Sequence, residues 1–200
     1  MGALKGDIGS SAVHLCIDMQ RLFAVDGPWP TAWMSRVLPV VVHIVEHAAP
    51  RTVFTRFIPP QVPEQAGGKW RDYFAKWREV TQMTMATERL ELVTPLDCFV
   101  PPARTFDKSV YSAFAGGALH ALLRSAEIDT LIVTGAETDV CVLSTILSAV
   151  DIGYRIIVVK DALCSSSDLS HDALLSLYAT RFDLQIELAT ADEVLECWRP

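Results

Sequence analysis

The feature that most constrains the fold is the alternation of short apolar runs, rich in β-branched residues, with segments of helical periodicity. The strand-like runs span residues 13–18, 51–57, 103–108, 130–136, 154–161 and 184–188. Strands that alternate with helices are typical of βαβ units, which build a mostly parallel sheet with helices on both faces. A chain of 200 residues suits one domain with one sizeable core. We therefore predict a single α/β domain over residues 1–200.

The charge and cysteine content narrow the class of protein. There are 17 basic and 24 acidic residues, a net charge of −7. Nucleic acids and anionic membranes select a basic surface, so we expect neither as a partner. No apolar run reaches the ~18 residues of a membrane span, and the start of the sequence lacks the apolar stretch of a signal peptide. We expect a cytoplasmic protein whose five widely spaced cysteines form neither a disulfide framework nor a thiolate zinc site.

Three chemically active side chains lie at the carboxyl ends of predicted strands. Asp18 ends the first strand, Lys108 ends the third, and the fourth leads through GAETDV to Cys141. Ligands of parallel sheets bind at that edge, so we expect the three side chains to converge there. Asp18 can accept the thiol proton. A helix N-terminus and the ammonium of Lys108 both favour a thiolate, so we expect Cys141 to titrate well below a free thiol.

This arrangement resembles the isochorismatase-like cysteine hydrolases, the family that includes nicotinamidase and N-carbamoylsarcosine amidohydrolase. The matching segments are IDMQRLF around Asp18, FDKSVYSAF around Lys108, and VTGAETDVCVLSTILSAVDIGY around Cys141, followed by VVKDAL. They cover nearly the whole chain in the family's order. The resemblance implies a Rossmann-like fold with three α/β/α layers and a six-stranded, mostly parallel sheet.

The resemblance also implies the roles of the site residues. Cys141 is the nucleophile of the triad, Asp18 the general acid and base, and Lys108 the electrostatic activator. The backbone N–H groups of Glu137 and Cys141 form an oxyanion hole, and the Ala136–Glu137 peptide bond is cis. We predict hydrolysis of a small amide, carbamoyl or ureido C–N bond through a thioester. Family members are commonly oligomeric, so we expect a homo-oligomer, a dimer or a tetramer.

One part of the family pattern is missing. Nicotinamidases carry an Asp and His metal cluster after the second strand, where this chain reads TRFIPPQVPEQAGGKW, without a His and without an acid before Glu64. The ligands that a metal needs are therefore absent there, and we predict a hydrolase without metal or other cofactor. Arg56 stands near this place. It is a candidate clamp for a substrate carboxylate, with a surface or interface role as the alternative.

Residues 58–102 interrupt the alternation of strands and helices. This insert carries several prolines, Gly67-Gly68 and a set of aromatic residues, and we interpret it as a lid or an interface element. The aromatic residues that flank the site segments are candidates for an apolar substrate pocket, with core packing as the alternative. They are Phe23, Trp29, Trp77, Tyr111 and Phe114.

Two other functions stay open from the sequence. One is a nicotinamidase-like, metal-containing amidase whose metal site is displaced. The other is a non-catalytic protein of the same fold that uses Cys141 for redox sensing or serves as an interaction scaffold. The segment HIVEH, with His43 and His47, matches the inverted zinc-protease pattern H-x-x-E-H, but it lies on the predicted crossover helix away from the catalytic edge.

Overall fold

The computed structural model describes residues 4–200, and the first three residues of the predicted domain lie outside this range. Within it, one sheet of six strands runs in the order β3-β2-β1-β4-β5-β6, and every neighbouring pair is parallel. The strands are β1 Ala12–Ile17, β2 Thr52–Phe57, β3 Arg104–Lys108, β4 Thr130–Ala136, β5 Arg155–Cys164 and β6 Ile186–Ala189. The predicted α/β fold is confirmed.

Helices cover both faces of the sheet. Those of the described chain are α1 Met34–His47, α2 Lys69–Lys76, α3 Ala118–Ser125, α4 Leu143–Ile152, α5 Asp168–Arg181 and α6 Ala191–Cys197. Buried residues of α1, α6 and the 58–102 insert form the core on one face, and those of α3, α4 and α5 form the core on the other. Pro39 lies inside α1 without ending it. None of the helices in residues 4–200 is both long and apolar enough to span a membrane.

The central strand β1 is buried at every position and carries a polar side chain in its middle. The ring of His14 is fully buried. Its Nδ1 lies 3.2 Å from Thr52 Oγ1 on β2, and its Nε2 lies 2.8 Å from Thr134 Oγ1 on β4. Burial lowers the pKa of His14 to about 3, so the ring is neutral at physiological pH. The two hydroxyls satisfy the ring nitrogens, which is what a buried polar group requires.

Gly135 allows β1 and β4 to approach closely at the carboxyl end of the sheet. Its φ is +111°, a conformation that favours glycine, and it pairs in register with Ile17. A Cβ atom at this position would collide with the carbonyl oxygen of Ile17 and would lie 2.6 Å from its nitrogen. Because Ile17 precedes Asp18, this contact sets the spacing between the segments that carry the site.

The 58–102 insert is folded against the ends of the first two strands. It contains α2, which the sequence pattern did not predict, and short 3₁₀ turns. The buried Gln20 ties the insert to the sheet, since its Nε2 donates to the carbonyl of Leu90 at 2.8 Å and its Oε1 accepts from the Phe57 nitrogen at 2.7 Å. The Val93 nitrogen donates to the Met19 carbonyl at 2.9 Å. These bonds place the aromatic side chains of the insert above the carboxyl edge of the sheet.

Candidate active site

Asp18, Lys108 and Cys141 meet at the carboxyl edge of the sheet. Lys108 Nζ lies 2.5 Å from Asp18 Oδ2, and the exposed fractions of the two side chains are 3% and 0%. The Cys141 thiol, 5% exposed, adjoins both the carboxylate and the ammonium. An acid, a cation and a thiol from three separate strand ends therefore share one buried volume.

Asp18 is held by the neighbouring strand β2. Its φ is +47°, a left-handed conformation that turns the chain directly after β1. The hydroxyl of Thr55 donates to Asp18 Oδ1 at 2.6 Å and accepts from the Asp18 nitrogen at 3.1 Å. Within residues 4–200, no donor has hydrogen-bond geometry toward Oδ2, although the ammonium of Lys108 lies beside it. Oδ2 is therefore the oxygen that can accept a proton.

Lys108 keeps its charge although it is buried. Burial has the largest single effect and lowers the pKa of the ammonium, but the carboxylate of Asp18 and the sulfur of Cys141 together outweigh it, so the pKa of Lys108 is raised. Its Nζ also donates to the carbonyl of Val110 at 3.2 Å and lies 5.2 Å from the centre of the Phe57 ring. These contacts fix the cation at the back of the site.

Cys141 lies in a wide turn of π-helix, Thr138–Val142, that joins β4 to α4. The nitrogens of Val140 and Val142 both donate to the Glu137 carbonyl, at 3.0 and 3.1 Å. The turn is also tied to the end of β5, because Thr138 Oγ1 donates to the Cys164 carbonyl at 3.1 Å. The Ala136–Glu137 peptide bond that precedes the turn is cis. The thiol thus sits in a hydrogen-bonded junction at the N-terminal end of α4.

The surroundings of Cys141 raise the pKa of its thiol, whereas the sequence pattern predicted a low pKa. Burial raises the pKa of the thiol, the negative charge of Asp18 raises it further, and Lys108 opposes them, with a net shift well above the ordinary value. This direction of the pKa argues against the expectation of a preformed thiolate. The single cation of the site is already paired with Asp18, so the resting state holds a neutral thiol beside an ion pair.

A cavity of about 360 Å³ opens over Cys141. Of the aromatic residues expected there, Phe23, Trp29, Trp77 and Tyr111 line it. Three further side chains that the sequence pattern did not assign to the pocket are Phe57, Tyr73 and the carboxylate-bearing Glu137. Phe57 ends β2 and Glu137 follows β4, so the strand-end rule that located the triad was sufficient to find both.

Two expected pocket residues lie elsewhere. Phe114 is buried in the core, where its ring packs 5.6 Å from that of Tyr154. Arg56 is paired in register with Asp107 on β3, which it binds through Nε and Nη2 at 2.7 and 2.9 Å, and its Nη1 lies 3.2 Å from a Glu91 oxygen. Its guanidinium is already bound to two carboxylates and does not line the cavity, which favours the alternative surface role over that of a substrate clamp.

The residues after β2 do not fit the metal site of the nicotinamidases. Ile58, Pro59 and Pro60 occupy this position and offer no imidazole or carboxylate. In the part of the chain that the structure describes, no three His, Cys, Asp or Glu side chains lie together as a metal site would need. His47 of the HIVEH segment instead donates from Nε2 to the Trp198 carbonyl at 3.1 Å.

The sequence comparisons identify the family of this chain. The Isochorismatase domain model matches residues 12–190. The uncharacterized isochorismatase family protein YwoC of Bacillus subtilis is 27% identical over 207 residues, 98% of each chain. A second Bacillus subtilis protein, uncharacterized and called PncA, is 38% identical over 86 residues, and that match spans about half its length, 47%, and 43% of this chain. The chain belongs to the isochorismatase family.

Solved structures share the fold at lower sequence identity. A cysteine hydrolase from Pseudomonas syringae pv. phaseolicola 1448A superposes with a TM-score of 0.78 at 21% identity, over 93% of this chain and 91% of the other. N-carbamoylsarcosine amidase from Thermoplasma acidophilum superposes with a TM-score of 0.71 at 23% identity, over 90% and 96%. The fold is therefore that of the isochorismatase-like hydrolases.

Proposed function

We propose that this chain is a cysteine hydrolase that cleaves the C–N bond of a small amide, carbamoyl or ureido compound without a metal. The observation that carries the proposal is the Cys141 thiol on the wall of a cavity, in contact with a buried carboxylate and a buried ammonium. A nucleophile beside a base, with a third group that orients the base, is the arrangement that covalent catalysis requires. The fold shared with a cysteine hydrolase and an amidase supports this reaction class.

The first half of the reaction forms the thioester. Because the thiol is neutral at rest, Asp18 Oδ2 takes its proton as the sulfur attacks the carbonyl carbon. The C–S bond forms and the carbonyl electron pair moves to the oxygen, which the backbone N–H groups of Glu137 and Cys141 stabilise. Lys108 then faces the developing negative charge, because Asp18 has been neutralised.

The second half regenerates the thiol. When the C–N bond breaks, Asp18 returns its proton to the leaving nitrogen, and ammonia or an amine departs. Asp18 then deprotonates a water molecule, which attacks the thioester carbon, and the C–S bond breaks to release the acid. The sulfur recovers a proton from Asp18. The same carboxylate therefore acts twice as base and twice as acid.

Ammonia release from a panel of small amides, carbamoyl compounds and ureas tests the proposal. We expect turnover that falls by about 10³-fold or more in Cys141→Ala, because the covalent route is lost. The matched control is Cys98→Ala, since Cys98 is exposed and outside the cavity. Turnover retained in Cys141→Ala contradicts the proposed nucleophile.

The same panel separates the alternative functions. A metal-containing amidase loses its activity after dialysis against a chelator and regains it with added metal, whereas we expect no change. A non-catalytic thiol protein gives no product from any compound. The high pKa and the burial of Cys141 disfavour a peroxide sensor, which needs an accessible thiolate.

A further inference from the structure

The cavity over Cys141 carries one charge on its wall. Among the described residues that line it, Glu137 is the only one with an ionisable carboxylate, and none is Lys or Arg. Lys108 lies behind the wall and is neutralised by Asp18. A ligand in this cavity therefore meets a negative charge that no neighbouring cation compensates.

The carboxylate of Glu137 is oriented by neutral donors on one oxygen only. The Ser166 nitrogen donates to Oε1 at 3.1 Å, and Thr31 Oγ1 donates to the same oxygen at 3.4 Å. Within residues 4–200, Oε2 takes part in no hydrogen bond or ion pair. The side chain is held in place while one oxygen stays available to a ligand.

Aromatic rings form much of the cavity wall. The ring of Trp29 lies 6.0 Å from Phe23, 5.9 Å from Tyr73 and 5.9 Å from Trp77, measured between ring centroids. Burial raises the pKa of Tyr73 and of Tyr111, so both hydroxyls are uncharged at neutral pH. Aromatic faces attract cations, most strongly when water is excluded, and an adjacent carboxylate adds to that attraction.

We propose that the cavity selects a cationic substrate, an amide-type compound that carries a protonated amine or a quaternary ammonium group. Glu137 binds the cation, and the rings of Trp29, Phe23 and Trp77 surround it. Amides that carry a carboxylate are rejected, because their charge faces an uncompensated carboxylate. The part of this inference that concerns turnover rests on the proposed cysteine hydrolase function, whereas the part that concerns binding depends on the cavity alone.

Binding is measured by calorimetry with three probes of similar shape: benzyltrimethylammonium, benzyl alcohol and benzoate. We expect the cation to bind at least tenfold more tightly than benzoate, a difference of about 1.4 kcal/mol. Glu137→Gln keeps the shape of the side chain and removes its charge. It should weaken binding of the cation about tenfold and should not weaken that of benzoate. The control is Glu196→Gln, an exposed residue of α6 outside the cavity.

Turnover is measured with 4-(aminomethyl)benzamide and 4-carbamoylbenzoate, which differ in the charge of one substituent. We expect a higher kcat/KM for the cation and a smaller ratio in Glu137→Gln. Equal or tighter binding of benzoate, or cation affinity unchanged in Glu137→Gln, overturns the inference. Selective cation binding without any hydrolysis supports the binding site and contradicts the proposed reaction. Hydrolysis without a preference for either charge supports the proposed reaction and contradicts the cation-binding site.

Discussion

Replacing Lys108 with Met tests how strongly the fold depends on the buried ion pair. Methionine preserves most of the side-chain length and removes the charge, which leaves Asp18, 0% exposed, with a hydrogen bond from Thr55 alone. Removal of one partner from a buried pair costs about 3–5 kcal/mol of unfolding free energy, because the other charge stays buried without compensation. We expect Lys108→Met to fall in this range. The double variant Asp18→Asn/Lys108→Met should recover about 2 kcal/mol relative to the sum of the single variants.

Urea unfolding of the four proteins in this cycle, followed by circular dichroism, gives each free energy by linear extrapolation. The control cycle uses the surface pair Lys69–Asp72, whose atoms lie 2.8 Å apart but whose side chains are 96% and 67% exposed. Its coupling energy should not exceed about 0.5 kcal/mol, because solvent screens the pair. A coupling between Asp18 and Lys108 no larger than that of the surface pair would refute this reasoning.

Three further changes test other features of the molecule. Lowering the pH from 7 to 5 should reduce the unfolding free energy by about 2 kcal/mol through His14, because the unfolded ring, with a pKa near 6.5, gains a proton that the native ring, with a pKa of about 3, refuses. The stabilising contribution of His14 is complete above pH 6.5 and is lost as the pH falls toward 3. Urea titrations at both pH values should show a smaller difference in unfolding free energy for His14→Leu than for the unmodified protein. An equal difference in the two proteins contradicts the role given to His14. Gly135→Ala should lower the unfolding free energy by about 3 kcal/mol or more in the same assay, because the added Cβ meets the backbone of Ile17. The control Gly9→Ala, with open space around the added Cβ, should lower it by less than about 1 kcal/mol. Similar losses in the two variants contradict the packing argument. The rate of Cys141 alkylation by iodoacetamide, resolved by peptide mass, should be low at pH 7 and should still increase above pH 9, because the pKa of the thiol is raised. The exposed Cys98 serves as the internal reference. A rate that reaches its plateau below pH 7 indicates a thiolate instead.

The convergence of the candidate triad could be predicted because it follows from topology. In a parallel sheet every strand end of one kind lies on the same edge, so the positions of Asp18, Lys108 and Cys141 in the sequence were enough to bring them together. The fold required only the alternation of strand and helix patterns, and the structure confirms it. Neither inference needed a side-chain contact.

The parts that the sequence did not predict depend on pairing and on distance. Arg56 forms an ion pair with Asp107 because the two residues are paired in register on β2 and β3. No local sequence pattern reveals that register. The charge state of Cys141 depends on a balance in which burial and Asp18 raise the pKa of the thiol and Lys108 lowers it. That balance is set by distances between atoms in the fold, which the spacing of the residues along the chain does not give. Phe114 and Tyr111 both flank the third strand in sequence, yet one enters the core and the other the cavity.

The wall of the cavity and its chemical groups come from different parts of the chain. Asp18 and Cys141 follow strands of the sheet and Lys108 ends one, whereas Trp29, Tyr73 and Trp77 lie in the loop after β1 and in the 58–102 insert. Loops tolerate substitution better than the strands they connect. Exchange of those two segments therefore offers a direct route to changing the shape of the cavity while Asp18, Lys108 and Cys141 keep their positions.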